Sequence, residues 1–439
     1  MTKEIDIISL TYGGRGLGRV DGKVVFVPFS VPGDKLKVRI TKEKKSFAEG
    51  VVEEIVAPSA ERVEPKCPVF GVCGGCTWQN IDYKSQVEWK EKILRESLER
   101  IGAVEVPDFE PPVEAKEPYN YRSRARFQID GDKWGFFSTS SHDVVDIKEC
   151  PLVEPVVNET FAALKELLKG KEHGLCHVEI ASSPSDKKAV ARFYSTTPFA
   201  FGKIDFPGAT PLLKGVELLR SKPKGKGRGK NAPGRREGPF HSVKKYGKTD
   251  VGFSVAGLEL KAPGGSFTQV NSAQNEALIE RLLDMGEVEK GDKVLDLFCG
   301  VGNLTLALAR RAKSVTGVEM DSRAVGYAKE NATLAGIENV EFIASDVLSW
   351  VKNRGGKSLA SPLWDVVVLD PPRGGDVKAV KEIARLAPRR IIYVSCSPPT
   401  LARDISYLSD SGYAMTQAVL LDMFPQTFHI ESIVVLDRV

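Results

Sequence analysis

KVLDLFCGVGNLTLALA, residues 293–309, decides the fold. Its first seven residues form an apolar run of strand length, GVG makes a turn, and NLTLALA continues at helical spacing. Two glycines at a strand-to-helix turn let the backbone approach a ligand closely. The pattern repeats outward. NEALIERLLDMG precedes it as a helix, and SVTGVEM, SRAVGYAKENATLA, VEFIASD, DVVVLDP, DVKAVKEIARLA and RIIYVSC follow as strands and helices. Apolar strands separated by helices predict a parallel sheet covered on both faces. YAMTQAVLL and IESIVVLD add two last strands. Residues 251–439 are therefore expected to form a doubly wound, Rossmann-like α/β domain.

The rest of the 439 residues reads differently. EIDIISL, KVVFVPF, DKLKVRI and AEGVVEEIV, within residues 1–56, are short strands punctuated by GGRGLG, DG and VPGD, which predicts a small OB-like barrel. GGRGLG precedes a strand instead of opening a helix, so it reads as a turn and not as a dinucleotide fingerprint. Residues 57–250 are mixed α+β: a cysteine cluster, the helical stretch YKSQVEWKEKILRESLERIG, and strand-like pieces such as SRARFQID and KKAVARFYS. Within them SKPKGKGRGKNAPGRREGP, residues 221–239, is too rich in Lys, Arg, Gly and Pro to bury anything and reads as a loop.

The net charge of +4 is uneven: residues 211–250 hold twelve Lys/Arg against three Asp/Glu, whereas 291–439 balance. A basic patch outside the C-terminal third suits a polyanion, and a solvated basic loop is the plainer reading. No stretch approaches the ~18 apolar residues of a membrane span, and MTKEIDIISL has no export signature. A cytoplasmic, monomeric protein is expected. Seven cysteines, an odd number, argue against a disulfide framework and turn the question to metal binding or catalysis.

In an open α/β sheet, ligands bind outside the carboxyl ends of the strands. That rule collects DLFCGVGN, Glu319, Asp346, Asp370 and Cys396 on one rim. Glu319 follows Gly300 by 19 residues, at the next strand end, where an acid accepts bonds from a ribose diol. The spacing fits a nucleoside cofactor; NAD is the alternative, but the third glycine of its motif is missing. Asp346 suits an adenine amine or, more simply, a helix N-cap. With DLFCGVGN, VEMD and DPP in this order, the domain resembles the class I S-adenosylmethionine-dependent methyltransferases.

DPPRGG lacks the aromatic residue that amine methyltransferases carry after the prolines, and Cys396 in YVSCSPPTLARDI stands on the neighbouring strand. Carbon 5 of a pyrimidine is a poor nucleophile, and a thiolate adding to carbon 6 makes it a competent one. Cys396 thus fits a nucleophile, with a buried structural cysteine as the plain alternative. Removing the carbon-5 proton afterwards needs a base, for which Glu431 is the candidate, with His429 two residues before it on the same face.

With SFTQVN (266–271), DLFCGVGN, DPPRGG, SCSPPTLARD and DMFPQTFHIE all in order, the chain resembles the RNA uracil-5-methyltransferases, which make 5-methyluridine in tRNA and rRNA. Residues 1–56 look like the TRAM domain, an RNA-binding barrel, and GFFSTSSHDVVDIKECPL resembles the family's central domain. The resemblance implies Cys396 as nucleophile and Glu431 as base, with Gln269, Phe298, Asn303, Glu319 and Asp346 on the cofactor and Asp370 between cofactor and uracil. Ser397 departs from the usual Asn or Asp. Cys67, Cys73, Cys76 and Cys150 match members that hold a 4Fe-4S cluster, although four thiolates alone also suit zinc. Cys176 and Cys299 are expected to pack.

The implied reaction is methyl transfer to carbon 5 of a uridine in RNA, with rRNA favoured over tRNA. Cytosine carbon 5, an exocyclic amine, or an RNA-binding protein with an inactive methyltransferase domain are the alternatives. Arg122, Arg124 and Arg126 alternate along YRSRARF and are candidates for RNA contact, as is the 221–239 loop; a solvated face serves equally for both.

Overall fold

The computed structural model describes residues 2–107, 109–171, 173–199, 206–221, 239–354 and 362–439. They divide into two compact units, one of residues 1–71, 76–118 and 273–439, the other of 72–75 and 119–272.

The first unit opens with a closed barrel of Thr2–Leu10, Gly16–Val20, Lys23–Val27, Lys35–Glu43 and Phe47–Ala57. Alternation places Ile5, Ile7, Val25, Val27, Leu36, Val38 and Ala48 inside. The second half of GGRGLG is strand, not turn. A Cβ at Gly16 would lie 2.0 Å from Ser30 Oγ, and one at Gly18 would lie 2.3 Å from Ile5 Cγ2. These glycines mark close approach inside a small barrel, a meaning that glycine takes in strands as well as in turns.

Helix Tyr83–Ser97 follows, capped by Asp82, whose carboxylate accepts from the Lys84 and Ser85 amides. Its buried stripe is Gln86, Val87, Lys90, Ile93, Leu94 and Ser97, with a lysine at its centre. The remainder is an eight-stranded sheet. Lys293–Leu297 lies between Ser314–Glu319 and Val366–Leu369, with Val340–Ala344 beyond the former and Arg390–Ser395 beyond the latter, all parallel. Glu431–Arg438 then pairs antiparallel with Arg390–Ser395, and Tyr413–Leu421 antiparallel with Glu431–Arg438. The strand order steps in opposite directions from Lys293–Leu297, so the loops after the strands open a crevice at their carboxyl ends. Glu110–Val113 adds an edge strand beside Tyr413–Leu421 that the sequence reading did not foresee. Its EPPV holds two prolines, which only an edge tolerates.

The second unit is a seven-stranded sheet ordered Phe240–Gly247, Leu213–Ser221, Lys188–Ser195, Leu175–Ser183, Arg124–Asp130, Lys133–Phe137 and Val144–Asp146. Helix Pro155–Leu168 covers one face, with the Phe161 ring 4.2 Å from that of Phe127. The hairpin Asp250–Val255 and Leu258–Pro263 also belongs to this unit. Residues 222–238 of the basic loop lie outside the described residues.

Candidate active site

The turn after Lys293–Leu297 is built by unusual backbone. Phe298, Gly300 and Gly302 all have positive φ, at 65°, 56° and 89°. A Cβ on Gly302 would stand 3.2 Å from Phe342 Cζ, whereas Gly300 faces open space, so one glycine serves packing and the other leaves room. Phe298 and Cys299 donate to the Val318 carbonyl at 2.9 and 3.2 Å, which ties the turn to the next strand. Glu319, at that strand's end, accepts from Gly300 N at 3.2 Å and from Asp321 N at 2.8 Å. Beside it Met320 is 71% exposed, an apolar surface next to an acid. This pairing fits an adenosine, whose ribose wants an acceptor and whose base wants an apolar face.

Asn303 begins the helix after the turn and makes a reciprocal amide pair with Asn275, at 3.1 and 2.8 Å. The sequence reading missed Asn275, a polar residue on the buried side of helix Ser272–Gly286. Asp346 is exposed and caps the next helix through Ser349 N at 2.9 Å; hydrogen bonding from the Ser349 side chain and then from its amide holds the Asp346 carboxyl below the ordinary range. Beneath the turn Asp296 is 1% exposed, accepts from Thr305 Oγ1 at 2.5 Å, and is pushed up to about 7, mainly by burial. Gln269 belongs to the second unit.

On the other side of the crevice, the antiparallel pairing Ser395↔Ser432, continued one residue, sets Cys396 opposite Glu431. Glu431 is 3% exposed, and its Oε1 has no hydrogen-bond partner among the described residues. Burial and then the neighbouring Asp370 push its carboxyl well above the usual range, with Arg373 opposing. Asp370 is itself raised by burial. Cys396 is half-buried, and its thiol is pushed up to about 11 by burial, Glu431 and Asp370, against Arg373. A thiol, two carboxyls and one guanidinium therefore share one electrostatic site.

His429 lies against Arg373 (Nε2 to Nη2, 3.4 Å) and packs on Phe428 and Phe424 with ring centroids 4.3 and 5.7 Å away. Ser397 shares a 2.8 Å hydrogen bond with Thr400, whose hydroxyl donates to the Arg373 carbonyl at 3.2 Å. Ser397 is thus tied to the DPPRGG loop through the Thr400 hydroxyl.

The loop that presents Glu431 is clamped from the segment after the barrel. Lys90 Nζ donates to Asp422 Oδ1 at 2.6 Å and to the Phe424 carbonyl at 3.0 Å, both charged side chains being 0% exposed. Gln86 and Gln426 exchange hydrogen bonds of 3.0 and 2.9 Å, and Phe428 N donates to Thr77 Oγ1 at 3.1 Å. Trp78 Nε1 donates to the Gly14 carbonyl at 3.1 Å, and a Cβ on Gly14 would press 3.1 Å from Phe428 Cβ. Gly14, the second glycine of GGRGLG, therefore seats the barrel's turn on this loop.

The cysteines divide. Cys67 and Cys76 lie in the first unit, Cys73 and Cys150 in the second; all are half-buried. Gln79 joins two of them, accepting from Cys67 N at 3.1 Å and donating to Cys76 Sγ at 3.2 Å. Among the described residues no group of three or more His, Cys, Asp or Glu side chains is arranged to hold a metal ion. Cys299 is buried and Cys176 half-buried. No helix of the described residues is long and apolar enough to cross a membrane.

The sheet order, the glycine turn and the acid at the second strand end define an S-adenosylmethionine-dependent methyltransferase. The model of the tRNA (uracil-5-)-methyltransferase family matches residues 253–439, and that of the TRAM domain residues 1–52. The chain is 34% identical to the 23S rRNA (uracil(1939)-C(5))-methyltransferase RlmD of Alkalilimnicola ehrlichii, over 99% of this chain and 96% of the relative. It is also 34% identical to the RlmD of Aeromonas salmonicida with the same coverage. The tRNA (uracil-54, C5)-methyltransferase of Pyrococcus abyssi, solved with S-adenosyl-L-homocysteine, superposes with a TM-score of 0.74 at 28% identity, covering 98% of this chain and 99% of that one. The chain belongs to the RNA uracil-C5 methyltransferase family.

Proposed function

We propose that the protein methylates carbon 5 of a uridine in 23S rRNA through a covalent adduct on Cys396. The observation that carries this reading is the placement of Cys396 opposite a buried Glu431, one of whose carboxylate oxygens has no hydrogen-bond partner among the described residues, on one sheet rim. Cys396 Sγ loses its proton to solvent and adds as thiolate to carbon 6, and the ring's electrons move to oxygen 4, making carbon 5 nucleophilic. S-adenosylmethionine, when bound, supplies the methyl as a cationic electrophile. Glu431, whose burial makes it a stronger base than an exposed carboxylate, removes the carbon-5 proton. The ring double bond re-forms and Cys396 leaves as thiolate. Glu319 would take the ribose, Asp346 the adenine amine, and Phe298, Asn303 and Gln269 the rest of the cofactor, with Asp370 serving the boundary between cofactor and uracil.

Full-length similarity to the RlmD relatives supports rRNA, and the P. abyssi relative favours tRNA as the second reading. Nucleoside mass spectrometry of separated 23S rRNA and tRNA from a deletion strain decides between them. Loss of one 5-methyluridine from 23S rRNA is expected; loss from tRNA alone overturns the rRNA assignment. RNA carrying 5-fluorouridine at the target should trap the protein covalently, and a Cys396→Ala variant that still forms the adduct overturns the nucleophile.

The thiolates of Cys67, Cys73, Cys76 and Cys150 are proposed to hold a 4Fe-4S cluster. The support is the chemistry of a four-thiol donor set and the Gln79 amide that donates to the Cys76 sulfur, the kind of hydrogen bond that tunes such clusters. Anaerobically purified protein should contain equal iron and acid-labile sulfide; zinc without sulfide overturns the assignment.

A further inference from the structure

Of the three arginines in YRSRARF, the structure spends two internally. Arg124 donates to the Ser266 carbonyl at 2.6 Å and Arg122 to the Arg124 carbonyl at 3.0 Å. Arg126 alone keeps an exposed side chain, 54% accessible even while it reaches Glu179 at 3.4 Å. It opens on a cavity of about 470 Å³ within the second unit, a size in the range of small-molecule sites, roughly 300–1,000 Å³.

The register explains what lines it. Arg126 pairs with Glu179 and Gln128 with His177 across the antiparallel strands, so these four share one face. Phe127 and Val178 point the other way, into the core. Arg192 bonds Glu217 at 2.8 Å and lies 3.4 Å from Glu179, so the charges of the row beside the cavity are largely paired, while Asp130 and Asp143 bring carboxylates to the cavity's own lining along with Arg126. His177 stacks on Tyr194 (4.2 Å, 24°) and its Nε2 has no hydrogen-bond partner among the described residues. Burial and the nearby Arg126 hold that imidazole neutral. Phe137, 38% exposed, and the exposed His142 meet edge to face at 5.2 Å and also line the cavity.

An amide presents donor and acceptor side by side to a base edge, exposed aromatic rings stack on a base, and a guanidinium at the margin meets phosphate. We propose that this cavity captures one unpaired purine of the RNA substrate, a nucleotide other than the uridine that is methylated. Gln128 reads its edge, Phe137 stacks on its face with His142 meeting the base edge-on, and Arg126 takes the adjoining phosphate. The inference rests on the RNA-methylating reading above and adds to it a second point of recognition.

The test uses the full-length protein and an unmodified transcript of the 23S rRNA segment around the target. Gln128→Ala and Phe137→Ala should each weaken RNA binding by about 5- to 50-fold and raise KM for RNA in step, while kcat changes less than twofold. Abasic substitution at each unpaired purine should reveal one position that costs the wild type this factor and costs Phe137→Ala almost nothing. Variants that melt at the wild-type temperature and bind RNA within twofold of it overturn the proposal, as does the lack of any such position. Adenosine monophosphate that binds the wild type and not the variants, with RNA binding intact, also overturns it and assigns a free nucleotide instead. Because methyl transfer is measured in the same samples, the two readings separate. Methylation with unaffected variants defeats the cavity alone, and cavity-dependent RNA binding without methylation defeats the proposed activity alone.

Discussion

Acids on the two sides of the crevice are treated in opposite ways. Glu319 and Asp346 each accept hydrogen bonds from backbone amides at the loops they terminate, and Asp346 is exposed. Glu431 and Asp370 are crowded together, and Glu431 leaves an oxygen without a donor. Amides stabilise the charged form of a carboxylate, whereas desolvation and a neighbouring acid stabilise the neutral form. One side is thus suited to receive hydrogen bonds from neutral groups of a ligand, the other to receive a proton. Residue type alone does not distinguish them.

The sharpest way to break this contrast is Glu431→Gln. Adduct formation by Cys396 should survive, while turnover falls by about 10²–10⁴-fold, the usual worth of a general base. Trapped protein–RNA complex should accumulate on denaturing gels with ordinary uridine substrate. Rapid release of methylated RNA by this variant would show that the proton leaves by another route.

The next largest effect concerns how Glu431 comes to be buried. Its loop is held by Lys90 on Asp422, both fully buried. Lys90→Met should cost about 3–5 kcal/mol in urea unfolding, because it strands a buried carboxylate. Adding Asp422→Asn should recover a large part of that loss. An additive double variant would mean that the pair is not coupled.

A smaller effect, on the thiol, sharpens the contrast. With Cys396 pushed up to about 11, roughly one thiol in a thousand is ionised at pH 8. A raised pKa keeps the protonated form to higher pH, so alkylation of Cys396 should climb through pH 10 without a plateau. The sulfonium of S-adenosylmethionine should shift that profile to lower pH, and the neutral S-adenosylhomocysteine should shift it less. Equal profiles with both ligands would remove cationic activation from the mechanism.

Much of this was legible in the sequence because each signal was local. KVLDLFCGVGN announced a strand, a turn and a helix, and FHIE placed an acid at the start of a final strand. Lys90 was legible too, since it falls on the buried stripe of Val87, Ile93 and Leu94, but only its partner gives a buried lysine meaning. Asp422 lies 332 residues away, and no periodicity relates them. Glu110–Val113 was hidden for a similar reason: two prolines in four residues read as loop until a neighbouring edge is known to receive them. Gly14, Gly16 and Gly18 read as a turn because a glycine records only that a side chain is excluded, not what excludes it.

The smallest expected effect separates the two roles open to Asp346. Its Oδ1 accepts the Ser349 amide as a helix cap, and the proposed adenine contact uses the remaining oxygen. Asn caps helices about as well as Asp, so Asp346→Asn should leave stability within a few tenths of a kcal/mol of wild type. The substituted amide, however, turns a donor toward the adenine amine, where two donors face each other. KM for S-adenosylmethionine should rise by about 2- to 10-fold, the worth of one hydrogen bond. Asp346→Ala should show the same rise together with a loss of about 1 kcal/mol from the missing cap. If the Asn variant binds S-adenosylmethionine as wild type does, the carboxylate serves the helix alone, and recognition of the adenine amine falls to other groups.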